Sequence, residues 1–267
     1  VNETELKNLE KRDDGKFEVL DVKLDNRKTK SLDPKNNKVI DNKKIEEGLI
    51  IPVYKPLFWS SFDVVKTIRF FMKKKYRLKK IKVGHAGTLD PLATGLLLIC
   101  TGKKTKEIEK LQALKKTYYT TFYFGATTPS FDLETDIDQV YETEHINNDH
   151  ILQTINMFRG ELVQEPPIYS AIKQKGNKLY HLARKGVKIS AIKKRKINIF
   201  EFCMLKNNFP EIDFKITCSK GTYIRTIAND FGKNLNTGAF VKHLERFSIG
   251  DYNINKSISI NEFKCSN

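Results

Sequence analysis

The first clear apolar signal along the chain is Leu49-Ile50-Ile51-Pro52-Val53-Tyr54, a short branched run that Lys55-Pro56 stops, and it predicts a strand. The period then changes. Val64, Val65, Ile68, Phe71 and Met72 recur at the spacing that lines one face of a helix, and Ser60 with Asp63 supplies capping-box spacing at its start, with Asp in place of the usual Glu. That face is read as core. Leu96 to Cys100 predicts a strand, Thr105 to Leu114 a helix, and the β-branched and aromatic stretch Thr117 to Phe124 another strand. Further strands are expected at 195–205 and 211–218, and helices at 149–158, 178–185 and from Tyr223 to Leu235. Helices and strands do not alternate as a βαβ array requires, so the expected class is α+β, a mixed and mainly antiparallel sheet with flanking helices. No internal repeat stands out.

Composition divides the chain. Residues 1–48 hold 12 Lys plus Arg against 12 Asp plus Glu, so the whole formal charge of +16 lies in residues 49–267. The balanced, aromatic-poor segment 1–48 is read as a flexible or peripheral extension, with one alternating stretch, Phe17 to Leu24, that could form a strand. Residues 49–253 form the expected working domain and 254–267 a short tail. A surface this cationic attracts polyanions, which puts RNA or DNA first among partners, although a coding bias toward Lys, Asn and Ile raises charge with no function behind it. The sharpest cationic feature is Lys73-Lys74-Lys75-Tyr76-Arg77-Leu78-Lys79-Lys80-Ile81-Lys82, read as phosphate contact in preference to a solvated face. The longest aliphatic run, Leu96 to Cys100, is far short of the roughly 20 residues that span a bilayer, so no membrane association and a cytoplasmic home are expected. Cys100, Cys203, Cys218 and Cys265 form no CxxC pair and are expected as thiols.

Residues 84–95 read Gly-His-Ala-Gly-Thr-Leu-Asp-Pro-Leu-Ala-Thr-Gly. Glycines at 84, 87 and 95 permit close backbone approach, and Pro91 disfavours helix just after Asp90, so a carboxylate is displayed on a shaped turn between apolar segments. Such a carboxylate serves as nucleophile or base. Two phosphate-binding patterns fail: Gly95 and Gly102-Lys103-Lys104 have the wrong spacing and no Ser or Thr for a P-loop, and Gly84 and Gly87 do not make GxGxxG. A metal is not expected either, since His85 and Asp90 have no companions and the other histidines, 145, 150, 181 and 243, are scattered. Taken alone, the loop shows how Asp90 is displayed and leaves its chemistry open.

The string Gly84 to Lys106 resembles the signature of the TruB family of tRNA pseudouridine synthases, and the likeness continues through most of residues 49–253. Lys116-Thr117-Tyr118 matches a Lys-x-Tyr block, Pro166-Pro167-Ile168-Tyr169-Ser170-Ala171-Ile172-Lys173 resembles a Pro-Pro-x-x-Ser-Ala-x-Lys block, Cys218 to Arg225 matches a third, and Gly238-Ala239 with Leu244 and Arg246 a fourth. The resemblance implies the pseudouridine synthase fold with a central catalytic cleft. It also implies isomerisation of the T-loop uridine of tRNA, position 55, to pseudouridine.

By the same resemblance Asp90 is the nucleophile, attacking the flipped-out uridine at ribose C1′ or uracil C6. Tyr118 stacks on the base and is the candidate proton acceptor, with stacking the firmer of the two because a phenol near its usual pKa of about 10 is a poor base at neutral pH; Arg225 pairs with the catalytic carboxylate, and Tyr223 and Leu244 line the pocket. His85 lies at the RNA-contacting end of the loop, filling space that the flipped base vacates. Lys73, Lys74, Lys75, Arg77, Lys79, Lys80 and Lys220 are expected to touch phosphates, with Lys193-Lys194-Arg195-Lys196 as further candidates. No cofactor is implied, because the isomerisation needs neither redox chemistry nor ATP, and a monomer without an obligatory protein partner is expected to act on the T-stem-loop.

Four departures from the family pattern stand out. Tyr54-Lys55-Pro56 replaces the common Asp-Lys-Pro, Glu245-Arg246 replaces Arg-Arg, at the expense of a phosphate contact, and Thr128-Pro129-Ser130, followed by Asp132, Glu134 and Asp136, replaces Thr-Asp-Thr. Bacterial relatives usually carry a C-terminal RNA-binding module, whereas 17 residues follow Gly250 here, which reads as a short form. The rival readings are a non-catalytic RNA chaperone on a degenerate synthase scaffold, and the guide-RNA-dependent branch of the family.

Overall fold

The computed structural model describes residues 47–174, 176–187 and 192–265, with Lys173 described by its backbone alone. The expected extension 1–48, including the Phe17 to Leu24 stretch, therefore lies outside the described residues except for its last two positions. Strand β1 (Ile50–Lys55) leads to helix α1 (Ser61–Lys75), whose N-cap Ser60 and Asp63 close a reciprocal capping box. Val64, Val65, Ile68 and Met72 on one face of α1 are buried as the periodicity requires. Then follow β2 (Val83–His85) and β3 (Ala93–Thr101). The expected helix 105–114 divides into a 3₁₀ segment, Gly102–Glu107, and a single α turn pair, α2 (Ile108–Ala113).

The rest of the chain supplies β4 (Lys116–Phe124), the pair β5 (Ala126–Thr127) and β6 (Gln139–Val140), α3 (Asn148–Met157), β7 (Gly160–Gln164), the pair β8 (Lys173–Gln174) and β9 (Asn177–Lys178), and α4 (Leu179–Arg184). It ends with β10 (Arg195–Asn208), β11 (Glu211–Cys218), α5 (Ile224–Asn234), β12 (Ala239–Ile249), β13 (Tyr252–Asn253) and α6 (Ile260–Cys265). The main sheet runs β1-β3-β12-β4-β11-β10-β7, with β2 on β3 and β13 on β12. Every pairing in it is antiparallel except β12 with β3. The α+β expectation holds.

Strand β12 had no counterpart in the expected elements, yet it is central. Its ladder to β4 shifts register between Val241 and His243 and again between Arg246 and Ser248. Each shift breaks the alternation of side chains between the two faces, and alternation is the signal by which a strand is read from sequence. The contrasting case is β3, buried at every position because both of its faces are covered.

On one face of the sheet Phe231 of α5 packs against Phe122, Phe202 and Phe214, at ring-centroid distances of 6.3, 5.7 and 5.7 Å. These rings bury much of the apolar area of the main core, and they fix α5 against β4, β10 and β11. The first turn of α5 is fastened separately. The Tyr223 N–H donates to Gln164 Oε1 at 2.8 Å while Gln164 Nε2 donates to the Tyr223 carbonyl at 3.1 Å. The segment after Asn253, read from sequence as a tail, packs on β1: Tyr54 N–H donates to the Ile258 carbonyl and Ile258 N–H to that of Pro52, with Ile260 and Phe263 buried.

Candidate active site

The loop between β2 and β3 is held at nearly every residue. Ala86 N–H donates to the Leu98 carbonyl at 2.9 Å, Leu89 N–H to Ser61 Oγ at 2.8 Å, and Ala93 N–H to the Asp90 carbonyl at 3.1 Å. Ser61 returns a bond to the Leu89 carbonyl at 3.0 Å, so the first turn of α1 grips the residue before Asp90. Gly87 and Gly95 have φ of +105° and +103°. At Gly95 a Cβ would lie 2.4 Å from the Arg246 carbonyl oxygen, so this position requires glycine both for its backbone and for the approach of β12.

Two buried cations clamp the loop from beneath, and neither was assigned a role from sequence. Arg246, 1% exposed, donates Nε to the Leu96 carbonyl at 2.8 Å and Nη2 to that of Gly87 at 3.0 Å, with Nη1 at 3.4 Å from the Thr88 carbonyl. Lys55, fully buried, donates Nζ to the carbonyls of Pro56, Trp59 and Pro91 at 2.9, 2.6 and 3.3 Å. Burial pulls the Lys55 ammonium down to about 8, against the opposing pull of Asp90. The signal available in sequence was weak: a lone Lys before Pro and a lone Arg in a strand are ordinarily solvated. Glu245, at the position expected to cost a phosphate contact, accepts a bond from the Tyr54 hydroxyl at 3.2 Å.

Asp90 and Arg225, 135 positions apart, meet at the open side of this platform. Arg225 Nε and Nη2 both lie 2.9 Å from Asp90 Oδ2. The Arg225 side chain is 3% exposed whereas that of Asp90 is 34% exposed, so the carboxylate faces outward and the guanidinium lies behind it. Arg225 Nη1 donates to the Ser130 carbonyl at 2.9 Å and Nη2 to that of Tyr169 at 2.8 Å, and Asp132 Oδ2 lies 3.5 Å from Nε. The departure at residues 128–130 thus leaves a carboxylate at the site, two residues further on. Burial works against the charge of Arg225, but Asp90 and Asp132 together outweigh it and hold its pKa above the usual value. Burial raises the Asp132 carboxyl, with Arg225 pulling it back down.

Three of the expected pocket residues lie near the Asp90 loop. Tyr118 on β4 is cross-strand partner to Arg246 and is buried in one cluster with Leu89 and Leu244. Burial raises its phenol, and the charge of Asp90 raises it further. Leu244 is paired with Ala93 at the end of the loop. Tyr223, half-buried at the start of α5, carries the Arg195 guanidinium 5.4 Å from its ring centroid. Its pKa is raised by burial, and Asp90 adds to the shift.

His85 is in β2 opposite Ile99, at the entry of the loop, and burial lowers its pKa, with the charge of Arg246 adding to the effect. The cationic positions lie on the surface. Lys73, Lys74 and Lys75 end α1 exposed, followed by exposed Arg77, Lys79 and Lys80. That run does return to the loop. A cavity of about 490 Å³ is lined by Arg69, Lys80, Lys82, Thr105 and Gly84, the first residue of the motif. Lys220 is exposed in the turn before α5.

The chain resembles known proteins in sequence and in fold. A model of the TruB family pseudouridylate synthase N-terminal domain matches residues 73–224. A tRNA pseudouridine synthase B of Flavobacterium johnsoniae is 54% identical over 221 residues, covering 82% of this chain and 96% of that one. The Phocaeicola vulgatus protein of the same name is 48% identical over 218 residues, 82% of this chain and 92% of its own. Among solved structures, a Cbf5–Nop10–Gar1 complex superposes with a TM-score of 0.59 at 24% identity, over 81% of this chain and 53% of that chain, which shows the shared fold. Among the described residues no helix is long and apolar enough to cross a membrane. A signature loop clamped at both ends, a carboxylate backed by a distant arginine, and relatives matched over nearly their whole length lead to one conclusion: the chain belongs to the TruB family of pseudouridylate synthases.

Proposed function

We propose that the chain converts the T-loop uridine of tRNA, position 55, to pseudouridine, with Asp90 as nucleophile. The observation that carries this is the Asp90–Arg225 contact at 2.9 Å, exposed on the carboxylate side and buried on the guanidinium side. A guanidinium so placed holds the carboxylate at the open face of the site and offsets its negative charge as RNA phosphates approach. Asp90 bonds to C1′ or C6, the N1–C1′ bond breaks, the uracil turns, and C5 bonds to C1′; Asp90 is then released as the carboxylate, C5 gives up its proton and N1 takes one up. Atoms are conserved and no oxidant or nucleotide cofactor is consumed.

Tyr118 offers its ring for stacking. A phenol raised by burial holds its proton at neutral pH, which favours packing over service as a base. Leu244 and Tyr223 close the pocket, and His85 enters the space left by the extruded base, whose unstacking costs a few kcal/mol. Exposed Lys73, Lys74, Lys75, Arg77, Lys79, Lys80 and Lys220 offset that cost through phosphate contacts. Residues 49–253 carry the activity, and the chain acts on tRNA as a monomer in the cytoplasm.

Tritium release from C5-labelled uridine in tRNA transcripts tests the reading. The parent protein releases tritium from the transcript with the T-loop uridine and not from one lacking it, and Asp90→Asn binds RNA but releases none. Binding by the parent without release would leave an RNA-binding protein on a synthase scaffold.

A further inference from the structure

An exposed aromatic residue is tied by its backbone to the Asp90 loop, where its ring adds little to the core. Phe58 lies in the turn between β1 and α1, with its N–H donating at 2.8 Å to the carbonyl of Pro91, the residue after Asp90. The Lys55 ammonium binds the carbonyls of Pro56 and Trp59 on either side, so the backbone of Phe58 is fixed in three places. Its φ is +65°, the left-handed region in which a bulky residue is an outlier, and its residue is 62% exposed. Glycine would adopt this turn without strain, and the exposed ring contributes little core. A strained backbone and an apolar surface both work against stability, and such residues concentrate where a ligand is held. One turn into α1, Phe62 is 53% exposed, with Lys66 Nζ 5.0 Å from its ring centroid. Lys66 also reaches Asp63 at 3.3 Å. The same helix ends in Lys73-Lys74-Lys75, so the aromatic pair is continuous with a cationic surface.

We propose that Phe58 is a stacking platform for an unpaired nucleobase of the substrate RNA next to the isomerised uridine, with Phe62 and Lys66 continuing the contact along the strand. This rests on the isomerase reading above. Aromatic rings joined to cations are the general recognition chemistry for unpaired bases, which stack on any π-face while the backbone meets the positive charge. A nucleobase suits the position better than a protein partner, because the backbone of Phe58 is bonded to Pro91, the residue next to the one that must receive an extruded nucleotide.

The experiment compares the parent with Phe58→Gly and Phe58→Trp. Glycine removes the ring and relieves the backbone, so Phe58→Gly is expected to melt no lower than the parent yet to bind T-stem-loop RNA about tenfold more weakly, the scale of one lost base stack. KM rises with kcat nearly unchanged, and Phe58→Trp restores affinity. Placing 2-aminopurine at each unpaired loop position in turn identifies the base: one position is quenched by the parent and by Phe58→Trp and stays bright with Phe58→Gly. A parent that forms pseudouridine while Phe58→Gly matches its affinity and its quenching overturns the platform and leaves the isomerase reading standing. Loss of self-association in Phe58→Gly with RNA affinity unchanged also overturns it, in favour of a contact between copies. A parent that releases no tritium removes the reading on which the platform rests.

Discussion

The Tyr54 hydroxyl reaches across β3 to Glu245, donating to Oε1 at 3.2 Å, and so joins two of the positions at which the chain departs from its family's usual pattern. Tyr54 lies opposite Leu96 and Glu245 opposite Thr94, on either side of β3. Each is the chain neighbour of a clamp: Lys55 holds the Pro91 side of the loop and Arg246 the Gly87 side. Where the resemblance pairs an Asp with an Arg of opposite charge, this chain pairs a donor, Tyr54, with an acceptor, Glu245. Tyr54→Phe and Glu245→Gln are each expected to cost about 1 kcal/mol of stability, the size of one hydrogen bond. In urea denaturation the double variant should cost less than the sum, and Tyr54→Asp with Glu245→Arg should recover more stability than either change alone.

Removing Arg225 has two consequences that can be separated. Arg225→Met leaves the buried Asp132 without its partner, and breaking a buried pair in this way costs on the order of 3–5 kcal/mol. Adding Asp132→Asn takes away the orphaned charge and should return most of the lost melting temperature. Tritium release should remain absent in the double variant, since Asp90 still lacks its guanidinium. Recovery of activity along with stability would show that Arg225 serves the fold alone.

Gly95→Ala should be among the most damaging single-methyl changes in the chain. Its Cβ would meet the Arg246 backbone well inside contact distance at a φ that disfavours any side chain. Parting β3 from β12 also displaces the Arg246 guanidinium from the loop carbonyls. Destabilisation above about 3 kcal/mol is expected from the strain and the lost buried bonds together, measured by chemical denaturation.

The buried Lys55 makes the pH dependence of stability and of activity run in opposite directions. Its folded pKa is about 8, below the 10.5 of the free side chain, because of burial. Below about 8 the folded state bears the full cost of holding the charge. As pH rises from there toward 10.5 the unfolded chain binds the proton more firmly than the folded one, so this group's contribution to folding stability increases. Pseudouridine formation should fall over the same range, as the ammonium that supports Pro91 loses a donor. Lys55→Arg, charged throughout, should keep its own maximum to higher pH, as read from tritium release between pH 7 and 9.5. An identical falling limb in parent and variant would exclude Lys55 as the cause.

Much of the protein is legible without coordinates. The capping box at Ser60, the five-residue apolar face of α1, the aromatic alternation of β4 and the limits of β11 all follow from local periodicity and cap chemistry. The family blocks give the order Asp90, Tyr118, Tyr223, Arg225 and Leu244, because each block is a local string. What local pattern cannot carry is a partnership between distant strings. The strand β12 escapes because its two register shifts destroy the period by which strands are read. Lys55, Arg246 and Asp132 look like solvated charges in sequence, and only the sheet order, which sets β1 and β12 on either side of β3, buries the first two against the Asp90 loop and turns them into clamps. The sequence by itself determined which groups are available for chemistry. Tertiary structure decided which of them lose water, and a charge that loses water must bind its neighbours' carbonyls or carboxylates, which is how the loop acquires one shape.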